Sequence, residues 1–186
     1  ITVTLGSNPN YTVTAIPGTF TINRKAATVT AIDNNKTYGS VDPTLTATIS
    51  GSVGGDAIAY TLSRETGEDA GTYAITPSGN TEQGNYTVTY VPGTFTITRA
   101  SATVKADDKE KIANQLDPVL TATVSGLQNN DAASVIHYTL NREVGEVVGT
   151  YAITPTGEPV QGNYNVTYLS GTFTITPQNE VVVRIV

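Results

Sequence analysis

The chain contains one string twice, and that duplication restricts it to architectures built from a small unit copied in tandem. Ala27-Thr28-Val29-Thr30-Ala31 returns as Ala102-Thr103-Val104-Lys105-Ala106, and Asp42-Pro43-Thr44-Leu45 returns as Asp117-Pro118-Val119-Leu120, both at an offset of 75 residues. Further along, Tyr60-Thr61-Leu62-Ser63-Arg64-Glu65 matches Tyr138-Thr139-Leu140-Asn141-Arg142-Glu143, and Gly71-Thr72-Tyr73-Ala74-Ile75 matches Gly149-Thr150-Tyr151-Ala152-Ile153, now at an offset of 78. Three residues are therefore inserted between Asp131 and Tyr138, and an insertion that leaves both flanks intact marks a loop. A partial copy opens the chain, because Asn10-Tyr11-Thr12-Val13-Thr14 and Pro17-Gly18-Thr19-Phe20-Thr21-Ile22 recur as residues 85–89 and 92–97. The expected division is residues 1–23 as the end of a preceding repeat, 24–98 as the first full repeat, 99–176 as the second and 177–186 as a tail. Tandem copying is the signature of an array, so neighbouring repeats of the same chain are the first partners to expect.

Nearly every segment alternates with a period of two, the pattern of half-buried strands. Val29 and Ala31 share one face, as do Leu45, Ala47 and Ile49; Tyr60 and Leu62; Tyr73 and Ile75; Tyr86, Val88 and Tyr90; and Phe95 and Ile97. Threonine fills the opposite face, at 44, 46, 48, 87, 89, 94, 96 and 98, where a β-branched hydroxyl residue suits a solvated pleat. Pro92-Gly93 reads as a type II turn with Gly93 at positive φ, its counterpart Gly171 following Ser170, and the connection reads as a corner between sheets or a bulged hairpin. Gly84-Asn85-Tyr86 and Gly162-Asn163-Tyr164 read as turns that deliver an aromatic ring into the core. The one helix the pattern allows is a turn or two after Asp56 or Asp131, with the aspartate as N-cap.

Six strands per copy with antiparallel spacing and no crossover helix predict an all-β chain of tandem, immunoglobulin-like β-sandwiches, with a β-grasp-like unit as the alternative if the segment after Asp131 is a true helix. The joints at residues 23–26 and 98–101 contain neither glycine nor proline, so a rod is expected. Residues 1–23 should pack as a strand pair on the first full unit or pair with Val181-Val182-Val183-Arg184-Ile185-Val186, since an isolated hairpin is marginal in water.

The shared residues carry a family resemblance. Ala-Thr-Val-x-Ala, Asp33, Lys36-Thr37-Tyr38-Gly39, Asp42-Pro43-Thr44-Leu45, Ser50-Gly51, Arg64-Glu65 with Gly67-Glu68, Gly71-Thr72-Tyr73, Gly84-Asn85-Tyr86 and Gly93-Thr94-Phe95-Thr96-Ile97 together resemble the MBG domain of the YGX type, related to YDG repeats. The resemblance implies tandem modules of large bacterial surface proteins, filamentous haemagglutinin-like adhesins among them, displayed outside the cell without catalysis. The second copy keeps Lys111 but replaces Tyr38-Gly39 with Ala113-Asn114, which favours a local turn over a binding site common to both copies.

Chemistry is sparse. The net charge of −6 argues against nucleic acid or an anionic membrane as partner. Cysteine, methionine and tryptophan are absent, which removes disulfides, thiolate ligands, thiol nucleophiles and the most oxidisable side chains. That composition suits an extracellular life, and the lack of disulfides favours a bacterial cell surface. No apolar run is long enough to span a bilayer, Val181 to Val186 included, and Ile1 begins in mid-strand, so the chain reads as a piece of a longer protein without membrane insertion of its own. The single histidine, His137, lies beside the inserted loop of one copy only and reads as a surface residue. Asp33, Asp107, Asp108 and Glu110 lie near the strand that opens each copy, but their spacing matches no calcium loop, so they read as solvated turn acids. Lys36 with Asn85, or Lys111 with Asn163, has the residue types of an internal isopeptide bond; salt bridges involving Arg64-Glu65 and Arg142-Glu143 explain the same residues. No catalytic, cofactor-binding or metal-binding set is assigned. The expected role is a spacer or stalk in a surface adhesin, not an enzyme; the competing role is an adhesive module that binds host glycan, mucin or matrix protein.

Overall fold

The computed structural model describes residues 1–6 and 9–179. Alternation becomes strands in both copies. The first module runs β1 (Lys25–Ala31), β2 (Asn34–Thr37), β3 (Ala47–Ser50), β4 (Thr61–Arg64), β5 (Gly71–Ser78), β6 (Glu82–Gln83), β7 (Tyr86–Val91) and β8 (Gly93–Thr98). The second repeats it as β9 (Ala100–Ala106), β10 (Lys109–Ile112), β11 (Ala122–Ser125), β12 (Thr139–Arg142), β13 (Gly149–Thr156), β14 (Val160–Gln161), β15 (Tyr164–Leu169) and β16 (Gly171–Thr176). Each module has two four-stranded sheets, in the orders β3-β1-β7-β6 and β2-β8-β5-β4, and β11-β9-β15-β14 and β10-β16-β13-β12.

The all-β layered class is as the pattern predicts, but eight strands form per module and the sheets are mixed. β1 pairs with β7 in parallel, Lys25 opposite Tyr86 and Thr30 opposite Val91, and β2 pairs with β8 in parallel, Asn34 opposite Phe95. Period-two alternation states which face a residue takes; it does not state which strand lies alongside, and here the intervening strands serve as the crossover that a parallel pair needs. The helix that the β-grasp alternative called for reduces to one 3-10 turn, Ala133–Val135, whose N-cap is Ala132, without a side-chain cap. Among the described residues no helix is long and apolar enough to cross a membrane.

The chain passes from one sheet into the other between β1 and β2 and again between β7 and β8, and likewise in the second module between β9 and β10 and between β15 and β16. Pro92 sits at the passage between β7 and β8, so the connection is the corner and not the hairpin. Gly93 and Gly171 are not at positive φ, contrary to the type II expectation. Glycine is needed there for a different reason: a Cβ on Gly93 would lie 2.9 Å from the Ala31 carbonyl oxygen, and one on Gly171 would lie 2.5 Å from that of Ala106. Asp33 Oδ1 accepts the Thr94 N–H at 2.7 Å and Asp108 Oδ1 accepts that of Thr172 at 2.7 Å, tying the same corner in both modules.

The predicted inner face is buried at Val29, Ala31, Ile75, Tyr86, Val88, Phe95 and Ile97 and half-buried at Leu45, Ala47, Tyr60, Leu62, Tyr73 and Tyr90; Ile49 is exposed. Three clusters result. One lies under the first sheet of module one (Ala27, Val29, Ile58, Tyr86, Val88) and one at the far end of module two (Ala106, Ile153, Phe173, Ile175). The largest belongs to neither module alone: Tyr38, Ile75, Phe95 and Ile97 of the first join Ala102, Val104, Ile136, Tyr164 and Val166 of the second.

The described residues ahead of Lys25 form no strand, and Phe20 and Ile22 are 73% and 81% exposed, so the expected strand pair is not formed. In the full copies the matching strands β7 and β8 are held by parallel pairing to β1 and β2, and residues 1–23 contain no counterpart of those partners. The alternative partner, Val181 to Val186, lies outside the described residues.

Candidate functional site at the seam between the modules

The joint between the modules is a single residue. β8 ends at Thr98, β9 starts at Ala100, and Arg99 between them donates from Nε to the Gly162 carbonyl at 3.0 Å. So short a joint brings the end of β2 against the loop after β11. Tyr38, buried at the end of β2, meets the Tyr164 ring edge-on, with centroids 5.6 Å apart at 83°. The Tyr38 hydroxyl donates to Asp131 Oδ2 at 3.0 Å, and the Tyr164 hydroxyl donates to the same oxygen at 2.6 Å. Gln128 N–H donates to the Tyr164 oxygen at 2.9 Å. A second set of bonds crosses at the other flank, where Asn163 Oδ1 accepts the Ala70 N–H at 2.8 Å and its Nδ2 donates to Asp69 Oδ1 at 2.9 Å. Burial, reinforced by the bond to Asp131, pushes the Tyr164 phenol up to about 12.

The Tyr-Gly pair thus divides into two roles. Gly39 at φ 85° and Asn114 at φ 69° hold the same turn in the two modules, closed by Ser40 N–H to Thr37 O at 3.0 Å and Gln115 N–H to Ile112 O at 3.1 Å. Asparagine tolerates the left-handed region, so the second module keeps the turn without glycine. Tyr38 is what module two lacks, and Tyr38 is what crosses the seam. Asp131 does not cap a helix; it receives the two phenols. A signal for that role exists in the sequence: Asp131 persists as Asp56 although the residues around it change from Gly54-Gly55 to Asn129-Asn130 and the loop lengthens.

Each module also carries a four-residue ionic clamp. Lys36 Nζ lies 2.6 Å from Asp42 Oδ1 and also contacts Glu68, while Arg64 grips Asp42 through Nε and Nη2 and reaches Glu68. Nη1 of Arg64 donates to the carbonyls of Glu65 and Gly67, at 2.8 and 2.7 Å, and the guanidinium stacks over Phe95, 5.0 Å from the ring centroid. Lys111, Asp117, Arg142 and Glu146 repeat the clamp, with Arg142 4.8 Å over Phe173. A planar, delocalised guanidinium can fork a carboxylate and stack on a ring at once, which an ammonium cannot. The arginines therefore pair with Asp42 and Glu68, or Asp117 and Glu146; Glu65 and Glu143 instead accept backbone N–H groups of Ala74 and Ala152 at 3.3 and 3.4 Å.

Burial opposes the charge on Lys36, but the hydrogen bonds to Asp42 and Glu68 outweigh it and raise its pKa. Bonds to Asp117 and Glu146 raise that of Lys111. An amine held as ammonium is no nucleophile, and Asn163 is engaged across the seam with Asp69, so the isopeptide pairing of Lys111 with Asn163 is not assembled. Asp107 accepts the hydroxyls of Thr121 and Thr123 at 2.6 and 2.9 Å. Among the described residues no three of histidine, cysteine, aspartate or glutamate gather as a metal site. His137 is exposed, and its backbone N–H and carbonyl bond the Gln161 side chain, as Ala59 does with Gln83.

The duplicated corner, clamp and turn coincide with a known family. A family model described as the MBG domain (YGX type) matches residues 27–96 and again residues 102–174. The chain belongs to that family. No curated protein matches it. Its two MBG modules are tandem copies of one all-β unit, joined by a seam to which both contribute side chains.

Proposed function

We propose that the chain is a spacer: two coupled MBG modules of a stalk that carries an adhesive domain away from a bacterial cell, outside the cell and without catalysis. The observation that supports this is the seam. A one-residue joint, a buried cluster drawn from both modules and hydrogen bonds at both flanks resist bending far more than a flexible tether does. Lys36, Asp42, Arg64 and Glu68 are paired with one another in a clamp that Lys111, Asp117, Arg142 and Glu146 repeat in the second module, as structural parts do. An acidic chain without cysteine or methionine suits exposure to an oxidising exterior. Small-angle scattering on the purified chain tests the reading: one narrow inter-module arrangement with an elongated profile is expected, and a broad spread of inter-module angles removes it. Labelling of intact cells with an antibody against the chain tests the location.

The second reading, an adhesive module for host glycan, mucin or matrix protein, draws on a groove that both modules share. Tyr60, Gly79, Glu82 and Gln83 line it in the first, and Tyr138, Gly157 and Glu158 in the second. Each sets a half-buried tyrosine beside polar loop groups, a setting in which sugars bind. Selective binding on a glycan array that is lost in Tyr60→Ala with Tyr138→Ala would put that reading first.

A further inference from the structure

The seam has two unlike halves. The leading module supplies the Tyr38-Gly39 turn and the Asp69-Ala70 loop; the following module supplies Asp131, Tyr164 and Asn163. The receiving half occurs twice in the chain. On the outer side of module one the Tyr86 hydroxyl donates to Asp56 Oδ2 at 2.7 Å and accepts the Val53 N–H at 3.0 Å, as Tyr164 does with Asp131 and Gln128. Gly54 and Gly55 take positive φ as Asn129 and Asn130 do, so the receiving loop keeps its shape. Arg24 Nε donates to the Gly84 carbonyl at 3.3 Å, as Arg99 does to Gly162, so the segment entering module one is held like the joint entering module two. Yet Asp56 and Asn85 are exposed where Asp131 and Asn163 are half-buried, and among the described residues the Asp56 carboxylate receives only Tyr86 and the Asn85 amide has no partner.

We propose that the face formed by Asp56, Tyr86 and Asn85 is a docking site for the C-terminal end of another MBG module bearing a Tyr-Gly turn and an Asp-Ala loop, and that a module ending like the second one cannot occupy it. The supplying half is missing from module two: Ala113-Asn114 stands for Tyr38-Gly39 and Val147-Val148 for Asp69-Ala70, with Val147 76% exposed. Laid over Asp56 and Asn85, that apolar end would bury a carboxylate left with the Tyr86 hydroxyl alone and an amide whose Nδ2 finds no acceptor, which costs more than its apolar contacts return. The lock therefore has a direction, and a module like the second closes a run of locked modules. On the receiving face Ser52 stands where Leu127 packs into the seam cluster, so docking there rests more on the polar bonds. Which module fits which is set by these side chains wherever the chain is displayed.

Three-module chains test it. One carries an extra copy of residues 24–98 between Asn23 and Arg24; a mirror chain carries that copy between Thr176 and Pro177. Because the protein has no cysteine, spin labels on introduced cysteines report only the chosen pair. Exposed Thr72 of a leading module and Thr89 or Thr167 of the following one are suitable, with Thr150 serving for module two. Electron paramagnetic resonance distances should show a single narrow peak at the native seam and at the added junction. The mirror junction should give a broad distribution, and Ala113→Tyr with Val147→Asp should narrow it. A broad distribution at the added junction beside a narrow native seam overturns this proposal alone; breadth at the native seam overturns it and the stalk reading together. A narrow mirror junction without the two substitutions removes the directionality.

Discussion

Glycine plays two separate parts in this chain, and the difference decides what substitution does. At Gly39 a positive φ closes a turn, and Asn114 replaces it without loss of the turn. At Gly171 the backbone is ordinary, and the constraint is the Ala106 carbonyl oxygen 2.5 Å from where a Cβ would stand. Backbone cannot move aside as a flexible side chain can, so Gly171→Ala should destabilise the second module by about 1–3 kcal/mol, the usual cost of forcing an extra group into a filled site. Gly93→Ala faces a longer approach, 2.9 Å, and should cost the first module less. Urea denaturation of the two variants beside the unsubstituted protein checks the order; midpoints unchanged from that protein would mean the corner yields freely. The sequence marks both positions as glycine but carries no sign of which constraint applies, because closeness to β1 and β9 depends on a parallel partner some sixty residues away.

At the scale of elements, strand faces were legible and strand partners were not. Thr44, Thr46 and Thr48 point outward and Phe95 and Ile97 inward because alternation fixes faces locally. The clamp was half legible: Lys36, Arg64 and Glu68 recur as Lys111, Arg142 and Glu146, but Glu65 follows Arg64 directly and recurs as well, and only the fold turns it away toward Ala74. The clamp also sets a pH dependence. Hydrogen bonds from Arg64 and then Lys36 hold Asp42 below 3.8, and a bond from Lys36 foremost holds Glu68 below 4.5; Asp117 and Glu146 are lowered in the same way by Arg142 and Lys111. Carboxyls depressed by folding bind protons more readily when unfolded, so their stabilisation is present above those ordinary values and is lost as pH falls through the folded ones. The urea midpoint should stay level from neutral pH down to about 5 and then fall, and less steeply in Glu68→Gln with Glu146→Gln. Since the same carboxylates keep both lysines as ammonium, intact-mass spectrometry should return the unmodified mass; a deficit of one ammonia per module would show that an isopeptide bond has formed.

At the scale of the molecule, the repeat period alone predicts two units, but the largest buried cluster forms between them. What the sequence hid was that the cores do not close module by module: Phe95 and Ile97 of one copy and Val104 and Tyr164 of the next belong to one cluster. In a one-dimensional array, stability is the sum of unit terms and nearest-neighbour interfaces, and the interface term decides whether units unfold together. Each module buries too little surface to be very stable alone, so the shared cluster with its Tyr38–Asp131–Tyr164 bonds should make the two unfold in a single transition. Tyr38→Phe keeps the ring contact and loses one hydrogen bond, which should lower the melting point modestly, by the equivalent of about 1 kcal/mol, with one transition preserved. Tyr38→Ala removes the ring as well and opens a cavity in the seam, so the coupling should fail and the calorimetric trace should split into two. Wild-type protein that already melts in two steps, or a Tyr38→Ala variant that still melts in one with an unchanged midpoint, would place the cohesion of the chain somewhere other than the seam.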